Sequence, residues 1–361
     1  MMKPLRLSSD CRASAIGPNI RLPYSRHEKI FLIIYYVYSR AFCGGQPHAT
    51  LLPNLHDRFS TQDSALCLKE RRKGVWIMSL QVGRFRIDWL DGGLLHLDAG
   101  AMFGVVPKPL WQGRYPVDDR NRMPLEASPL LIRSDDDGEA LLVDTGLGTR
   151  YSEKQKRNFH MTRPFDLDGS LRRLGLTPQT IRHVLLTHMD FDHAGGGIVE
   201  DKGCLSPRFQ HARYWVHRVE WHDFLHPNRR SSNTYRLENG RPLQDAGLLH
   251  LVEGRQLVTH GLEIIHTGGH TRGHQIILIQ SEEQTALHLG DLLPTHAHLN
   301  PLWVTAYDND PVQSVAQKEY WLDFARRRSA WLLFYHDALY CAVRLNQEGE
   351  ITDRLPRPVS P

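Results

Sequence analysis

Cysteine is scarce in this chain and follows no pairing pattern. Of 361 residues only Cys11, Cys43, Cys67, Cys204 and Cys341 are cysteine, and no CxxC pair occurs. An odd, scattered set excludes a disulfide framework and a dithiol redox motif. It fits a reducing cytoplasm, where Cys204 and Cys341 act as small apolar residues. Long hydrophobic runs are also missing. Ile30–Tyr38 is nine residues long, well short of the roughly 20 a spanning helix needs. It approaches the length of a signal-peptide core, yet the region before it is too long, and Cys43-Gly44-Gly45 is a poor cleavage pattern. No self-similarity recurs at 20–50 residues, which excludes a solenoid. No GxSxG is present, so the usual nucleophile elbow of serine hydrolases is absent.

A basic stripe is missing as well. The formal charge is +4, but residues 1–77 carry 12 Lys/Arg against 5 Asp/Glu, which leaves 32 against 35 for the remainder. The body of the chain is slightly acidic, which argues against nucleic acid as its partner. The hydrophobic fraction of 41% is ordinary for a globular protein. Residues 1–77 show no periodicity. We read them as an N-terminal extension, disordered or added by a start codon taken too far upstream. A single domain is expected over residues 78–361.

What the chain does contain is ligand-type residues at the ends of apolar runs. Val184-Leu185-Leu186 is followed by Thr-His-Met-Asp-Phe-Asp-His at 187–193 and then by Gly195-Gly196-Gly197. His188, Asp190, Asp192 and His193 can each bind a divalent metal, and imidazole with carboxylate suits zinc, iron or manganese. Three further runs end the same way. Ile264-Ile265 leads to His270, Ala286–Leu289 to Asp291, and Trp331–Tyr335 to His336. Ligands gathered from separate strand ends are a common way to build a site on an α/β scaffold.

The blocks Leu142–Gly146, His188–His193, Gly269-His270-Thr271-Arg272-Gly273-His274 and Gly290-Asp291, followed by the strand ending at His336, resemble the metallo-β-lactamase-fold hydrolases in order and spacing. The resemblance covers about residues 79–345. Gly100–Lys108, Gly290–Thr295 and Trp303–Asp308 are similar to the YtnP-type branch, described as probable quorum-quenching lactonases. The resemblance implies an α/β fold, the four-layer αββα sandwich, and two divalent metal ions, zinc first. It implies His188, Asp190 and His270 on the first metal and Asp192, His193 and His336 on the second, with Asp291 bridging. A bridging carboxylate links cations roughly 3.5–4 Å apart. A metal-bridging hydroxide would then attack a small ester-like substrate, probable examples being lactones such as an acyl-homoserine lactone. Asp192, the catalytic candidate, orients that hydroxide.

One departure stands out. The usual motif is HxHxDH, and Asp190 replaces its middle histidine. A carboxylate there shifts preference toward manganese or iron. Pro294 and Thr295 also stand where many lactonases of this fold carry a tyrosine. Asp144 is a candidate to orient a histidine from behind, and His274 a structural hydrogen-bonding residue. His296, His298 and Tyr307 are candidates for the rim, and Phe103, Trp111 and Trp303 for core packing or an apolar pocket. The expected partner is a small molecule, not nucleic acid or a membrane, and a homo-oligomer is open. Three alternatives remain: a phosphodiesterase or nuclease on the same fold, with Arg229, Arg230 and Arg236 as support; a di-iron redox protein, suggested by Asp190; and a purely structural metal protein.

Locally, Phe85–Trp89 and Leu94–Leu97 around Asp91-Gly92-Gly93 predict a hairpin, as do Leu130–Arg133 and Ala140–Asp144. Met102–Ala127 reads as a long irregular tract at the site's rim. Thr177-Pro178 and Asp310-Pro311 predict helix starts, the second running to about Arg327.

Overall fold

The computed structural model describes residues 67–72, 75–135 and 138–358; most of the expected extension, including Ile30–Tyr38, lies outside the described residues. The strands in chain order are β1 (Cys67–Arg72), β2 (Val75–Val82), β3 (Phe85–Trp89), β4 (Leu94–Asp98), β5 (Arg122–Glu126), β6 (Leu130–Ser134), β7 (Ala140–Val143), β8 (Ile181–Leu185), β9 (Ile198–Asp201) and β10 (Cys204–Pro207). They continue with β11 (Arg213–His217), β12 (Leu249–Val252), β13 (Arg255–Thr259), β14 (Leu262–His266), β15 (Gln275–Ser281), β16 (Gln284–His288), β17 (Trp331–Leu333), β18 (Tyr340–Leu345) and β19 (Ile351–Pro356).

Two large sheets form. One has the order β1-β2-β3-β6-β7-β8-β11-β12, the other β13-β14-β15-β16-β17-β18-β19. The first begins at Cys67, ahead of the boundary at Met78 that the sequence led us to expect, because β1 pairs with β2 from Cys67↔Leu80 to Arg72↔Val75. Backbone pairing does not require apolar residues, and the charged sequence of β1 is typical of an edge strand.

Side-chain alternation sets the layers. On β6, Leu130 and Ile132 join the core between the sheets, while Leu131 joins a second core on the outer face. On β15, Ile277 and Ile279 enter the shared core, and Ile276 and Leu278 pack outward. The outer core of the first sheet is covered by helices Leu167–Arg173 and Arg218–Leu225, which contribute Leu171, Trp221 and Phe224. That of the second is covered by helix Pro311–Arg328, through Trp321, Leu322 and Ala325. Helix, sheet, sheet, helix is the expected four-layer arrangement. Each fully buried Leu or Ile contributes roughly 1.5–3 kcal/mol.

Helix Pro311–Arg328 follows its sequence signals. The Asp310 side chain accepts from Gln313 N at 3.0 Å, Pro311 occupies the first turn, and Arg326–Arg328 sit at the negative end. Thr177-Pro178 opens only a single 3-10 turn, Pro178–Thr180. The hairpin over Leu130–Val143 forms as β6 and β7. The one expected over Phe85–Leu97 does not. β3 pairs with β2 and β6, whereas β4 pairs with β5 in a separate ribbon. The chain leaves the sheet at Gly92, where a Cβ would lie 2.2 Å from Ala127 O, so only glycine permits the crossing. The tract Met102–Ala127 is less irregular than expected. It holds helix Lys108–Trp111 and β5.

Candidate metal centre

The residues singled out from the sequence meet at one edge of the sandwich. His188, Asp190, Asp192 and His193 follow β8, the last two on the helical turn Phe191–Ala194. His270 follows β14, Asp291 follows β16 and His336 follows β17. Gln275 fastens the two sheets here, with its N–H on Thr187 O at 2.8 Å and its side-chain amide on Leu186 O at 3.0 Å.

All four histidines are anchored through Nδ1. His193 Nδ1 donates to Asp144 Oδ2 at 2.9 Å, His270 Nδ1 to Asp308 Oδ1 at 2.9 Å, and His336 Nδ1 to the Glu126 carbonyl at 2.6 Å. Thr187 Oγ1 gives its proton to Asp144 Oδ2 at 2.8 Å, so it accepts from His188 Nδ1 at 3.0 Å. Each Nε2 is thereby left with its lone pair facing inward, the tautomer a metal requires.

The inward atoms converge. Asp291 Oδ1 lies 3.3 Å from His193 Nε2 and 3.2 Å from His336 Nε2, and Asp291 Oδ2 lies 3.5 Å from His270 Nε2. Asp190 Oδ2 is 3.7 Å from both His188 Nε2 and His270 Nε2. Asp192 Oδ2 is 3.8 Å from His336 Nε2. Ligands about 2 Å from a tetrahedral ion lie roughly 3.3 Å from one another, so these spacings fit cations. Three ligand sets emerge: His188, Asp190 and His270; His188, His193 and Asp291; and Asp192, His193 and His336. His188 Nε2 and Asp291 Oδ1 are buried without a hydrogen bond, which an uncompensated polar atom avoids unless an ion satisfies it. Electrostatics agree. Burial opposes charge on His193 and His270, but Asp291 with Asp144 on the first, and Asp190 with Asp308 on the second, hold both well above the imidazole range. The carboxylates around these rings favour positive charge at this edge, whether a proton on Nε2 or a cation in its place.

Asp144 is fully buried with φ +56°, a strained conformation for a non-glycine residue. Burial raises its pKa, but His193 outweighs this and holds it at about 2. His274 is a hydrogen-bonding residue. Its Nε2 accepts from Asp291 N at 3.2 Å and its Nδ1 meets Thr267 Oγ1 at 2.9 Å. Phe103 and Trp111 stack on each other within the core, 4.7 Å between centroids. His298 is buried against Phe103 at 4.6 Å, not on the rim. His296 is partly exposed, and its Nδ1 lies 2.5 Å from Asp337 Oδ2.

Sequence reasoning missed four supports. Asp308 and the Glu126 carbonyl orient histidines. Tyr335 stacks on His193 and donates to Asp192 O at 2.6 Å while accepting from Gly146 N at 3.1 Å. Glu220 is buried beneath two ligand loops, accepting from Met189 N at 2.8 Å, Thr271 Oγ1 at 2.6 Å and Tyr235 Oη at 2.9 Å. Burial raises its pKa to about 7 despite these bonds.

The chain is similar to several known proteins. A probable metallo-hydrolase of Mycobacterium tuberculosis is 30% identical over 172 residues, 45% of this chain and 55% of that protein. An N-acyl homoserine lactonase of a Bacillus species is 30% identical over 123 residues, 34% of this chain and 42% of that protein. The chain thus spans about half the length of the curated relatives it matches. The solved structure of a probable metal-dependent hydrolase from Staphylococcus aureus superposes with a TM-score of 0.74 at 41% identity, over 78% of this chain and all of that one. AidC, a dizinc quorum-quenching lactonase, shares the fold with a TM-score of 0.62 at 18% identity, over 79% of this chain and 97% of its own. The model of the metallo-beta-lactamase superfamily matches residues 123–335, more than half of the chain, and the chain belongs to that superfamily.

Proposed function

We propose that the chain is a dinuclear metal-dependent hydrolase of small ester-like substrates, with a lactone such as an acyl-homoserine lactone as substrate. The observation that carries this reading is the set of four histidines, each fixed through Nδ1 and each turning Nε2 toward the three carboxylates. His188, Asp190 and His270 would hold one ion and Asp192, His193 and His336 a second, with Asp291 available to both. Two divalent ions so held supply Lewis acidity and activate water at neutral pH. Zinc suits the imidazoles, while Asp190 draws the first position toward manganese or iron.

The chain's own residues do the rest. Asp192, buried and with Oδ2 3.8 Å from His336 Nε2, orients the attacking water and accepts its proton. Water adds to the lactone carbonyl, the ring C–O bond breaks, and the proton passes through Asp192 to the leaving alkoxide. Tyr335 fixes the Asp192 backbone, and Asp144 and Asp308 keep His193 and His270 from turning. Similarity to the Bacillus N-acyl homoserine lactonase and to AidC, a quorum-quenching lactonase, supports a lactone and quorum quenching. The scarce, scattered cysteines, with no CxxC pair, support a cytoplasmic setting. No helix among the described residues is long and apolar enough to cross a membrane.

The test is a hydrolysis panel with zinc-, manganese- and iron-loaded protein. Lactone turnover exceeding that of bis-aryl phosphodiesters is expected. Faster phosphodiester cleavage, or inactivity on every lactone, would overturn the reading.

A further inference from the structure

A small cavity of about 180 Å³ opens against the first metal position. Asp190, His270, Arg230, Ser231, Tyr307 and Asn309 are among the residues that line it. Asp190, which stands where the usual motif has a histidine, is one of its lining residues.

The walls are rich in donors. Arg230 Nη2 is fixed by the carbonyls of Ala306 and Asp308, the latter at 3.1 Å. Its other guanidinium nitrogens have no protein partner among the described residues. Ser231 is only 7% exposed and lines the cavity, and its hydroxyl has no hydrogen-bond partner among the described residues. This hydroxyl and the exposed part of the Arg230 guanidinium are open to the cavity, where a ligand oxygen can take the place of water. The Tyr307 hydroxyl and the Asn309 amide add donors. The only carboxylate lining the cavity is Asp190, which faces the first metal position. The walls are braced from behind, because Glu220 accepts from both Thr271 and Tyr235. At roughly 30 Å³ per water the cavity takes a compact group, not a long chain.

We propose that this cavity is a specificity subsite, in which Arg230 and Ser231 bind a hydrogen-bond-accepting oxygen that the substrate carries beside its scissile ester. The oxygen belongs to an amide carbonyl or a carboxylate. This rests on the hydrolase reading above and deepens it. Arg230 is then a specificity residue that acts on binding. Plain lactones lack the group it reads.

The experiment uses metal-replete full-length protein. It compares γ-butyrolactone with its α-acetamido and α-carboxylate derivatives in the wild type, Arg230→Met and Ser231→Ala. A hydrogen bond to a charged donor carries roughly a tenfold or larger effect. The wild type is expected to prefer one substituted lactone over the plain one by at least that factor in kcat/KM, and which one wins identifies the oxygen. Arg230→Met should cut that preference about tenfold through KM, with metal content unchanged by elemental analysis. Ser231→Ala should cut it less. Equal losses on plain and substituted lactones, or a preference that survives Arg230→Met, would overturn the proposal. If the wild type opens no lactone, the hydrolase reading fails and the cavity is judged by calorimetry with N-acetylhomoserine. Binding weakened about tenfold in Arg230→Met upholds the subsite, and equal or absent binding overturns it.

Discussion

Replacing Lys318 with methionine should flatten the dependence of stability on pH above neutrality. Lys318 sits on helix Pro311–Arg328 with no exposed surface, and its Nζ donates to Asn300 O at 3.2 Å and Trp303 O at 2.6 Å. Burial, opposed weakly by Asp308, pulls its pKa from 10.5 to about 7. Between those values the unfolded chain keeps a proton that the folded chain has released. Stability therefore rises with pH across this window, by about 1.4 kcal/mol per unit for one proton, or about 5 kcal/mol in all. Below about pH 7 the folded protein carries a buried cation and the penalty is complete. Methionine preserves the stem and the packing, removes the titration, and leaves two carbonyls without a donor, at about 1 kcal/mol each. Urea unfolding at pH 7, 8, 9 and 10, with equal metal loading, measures the difference between the two proteins. The variant should be closest to the wild type, or more stable, at pH 7, and should fall behind steadily toward pH 10. A constant difference, within about 0.5 kcal/mol, would refute the argument. The result bears on function because Lys318 anchors the strap that carries Asp308, the residue behind His270.

Asp308→Asn keeps the shape but removes the charge behind His270, and should weaken the more labile metal about 10–100-fold in competition with a chromophoric chelator; unchanged affinity would remove Asp308 from the site's support. Tyr335→Phe leaves Gly146 N–H without its partner and frees the Asp192 carbonyl, which should cost about 1–3 kcal/mol in urea unfolding, and no loss would mean that water replaces the hydroxyl. Gly273→Ala would place a Cβ 2.2 Å from the Glu220 backbone nitrogen. It should push helix Arg218–Leu225 away from the ligand loops and destabilise the protein by about 3 kcal/mol; a stable variant with normal metal content would contradict the tight fit.

The candidate ligand positions were legible because each is local. An apolar run stops, glycines or a turn follow, and an imidazole or carboxylate stands at the break, as at Leu186-Thr187-His188 and Leu289-Gly290-Asp291. The supports were not, because their roles are set by residues far away in sequence. Glu220 lies on a short helix and meets Thr271, 51 residues on. Lys318 reads as the solvated face of a helix and is instead covered by the strap 295–308. Tyr335 looks like one more apolar strand residue, although its position beside His336 was a usable signal. The misread hairpin at Asp91-Gly92-Gly93 has a related cause. A glycine turn signals that the chain bends, but whether it returns to the same sheet depends on what passes beneath, here Ala127 and Pro129.

The most direct test of the central claim is the metal content of purified protein, measured beside Asp291→Ala. Asp291 is the one residue whose two oxygens face histidines of both sets, Oδ1 toward His193 and His336 and Oδ2 toward His270. The account predicts close to two equivalents per chain in the wild type and one or fewer in the variant. Two equivalents in both proteins, or none tightly held in the wild type, would contradict it.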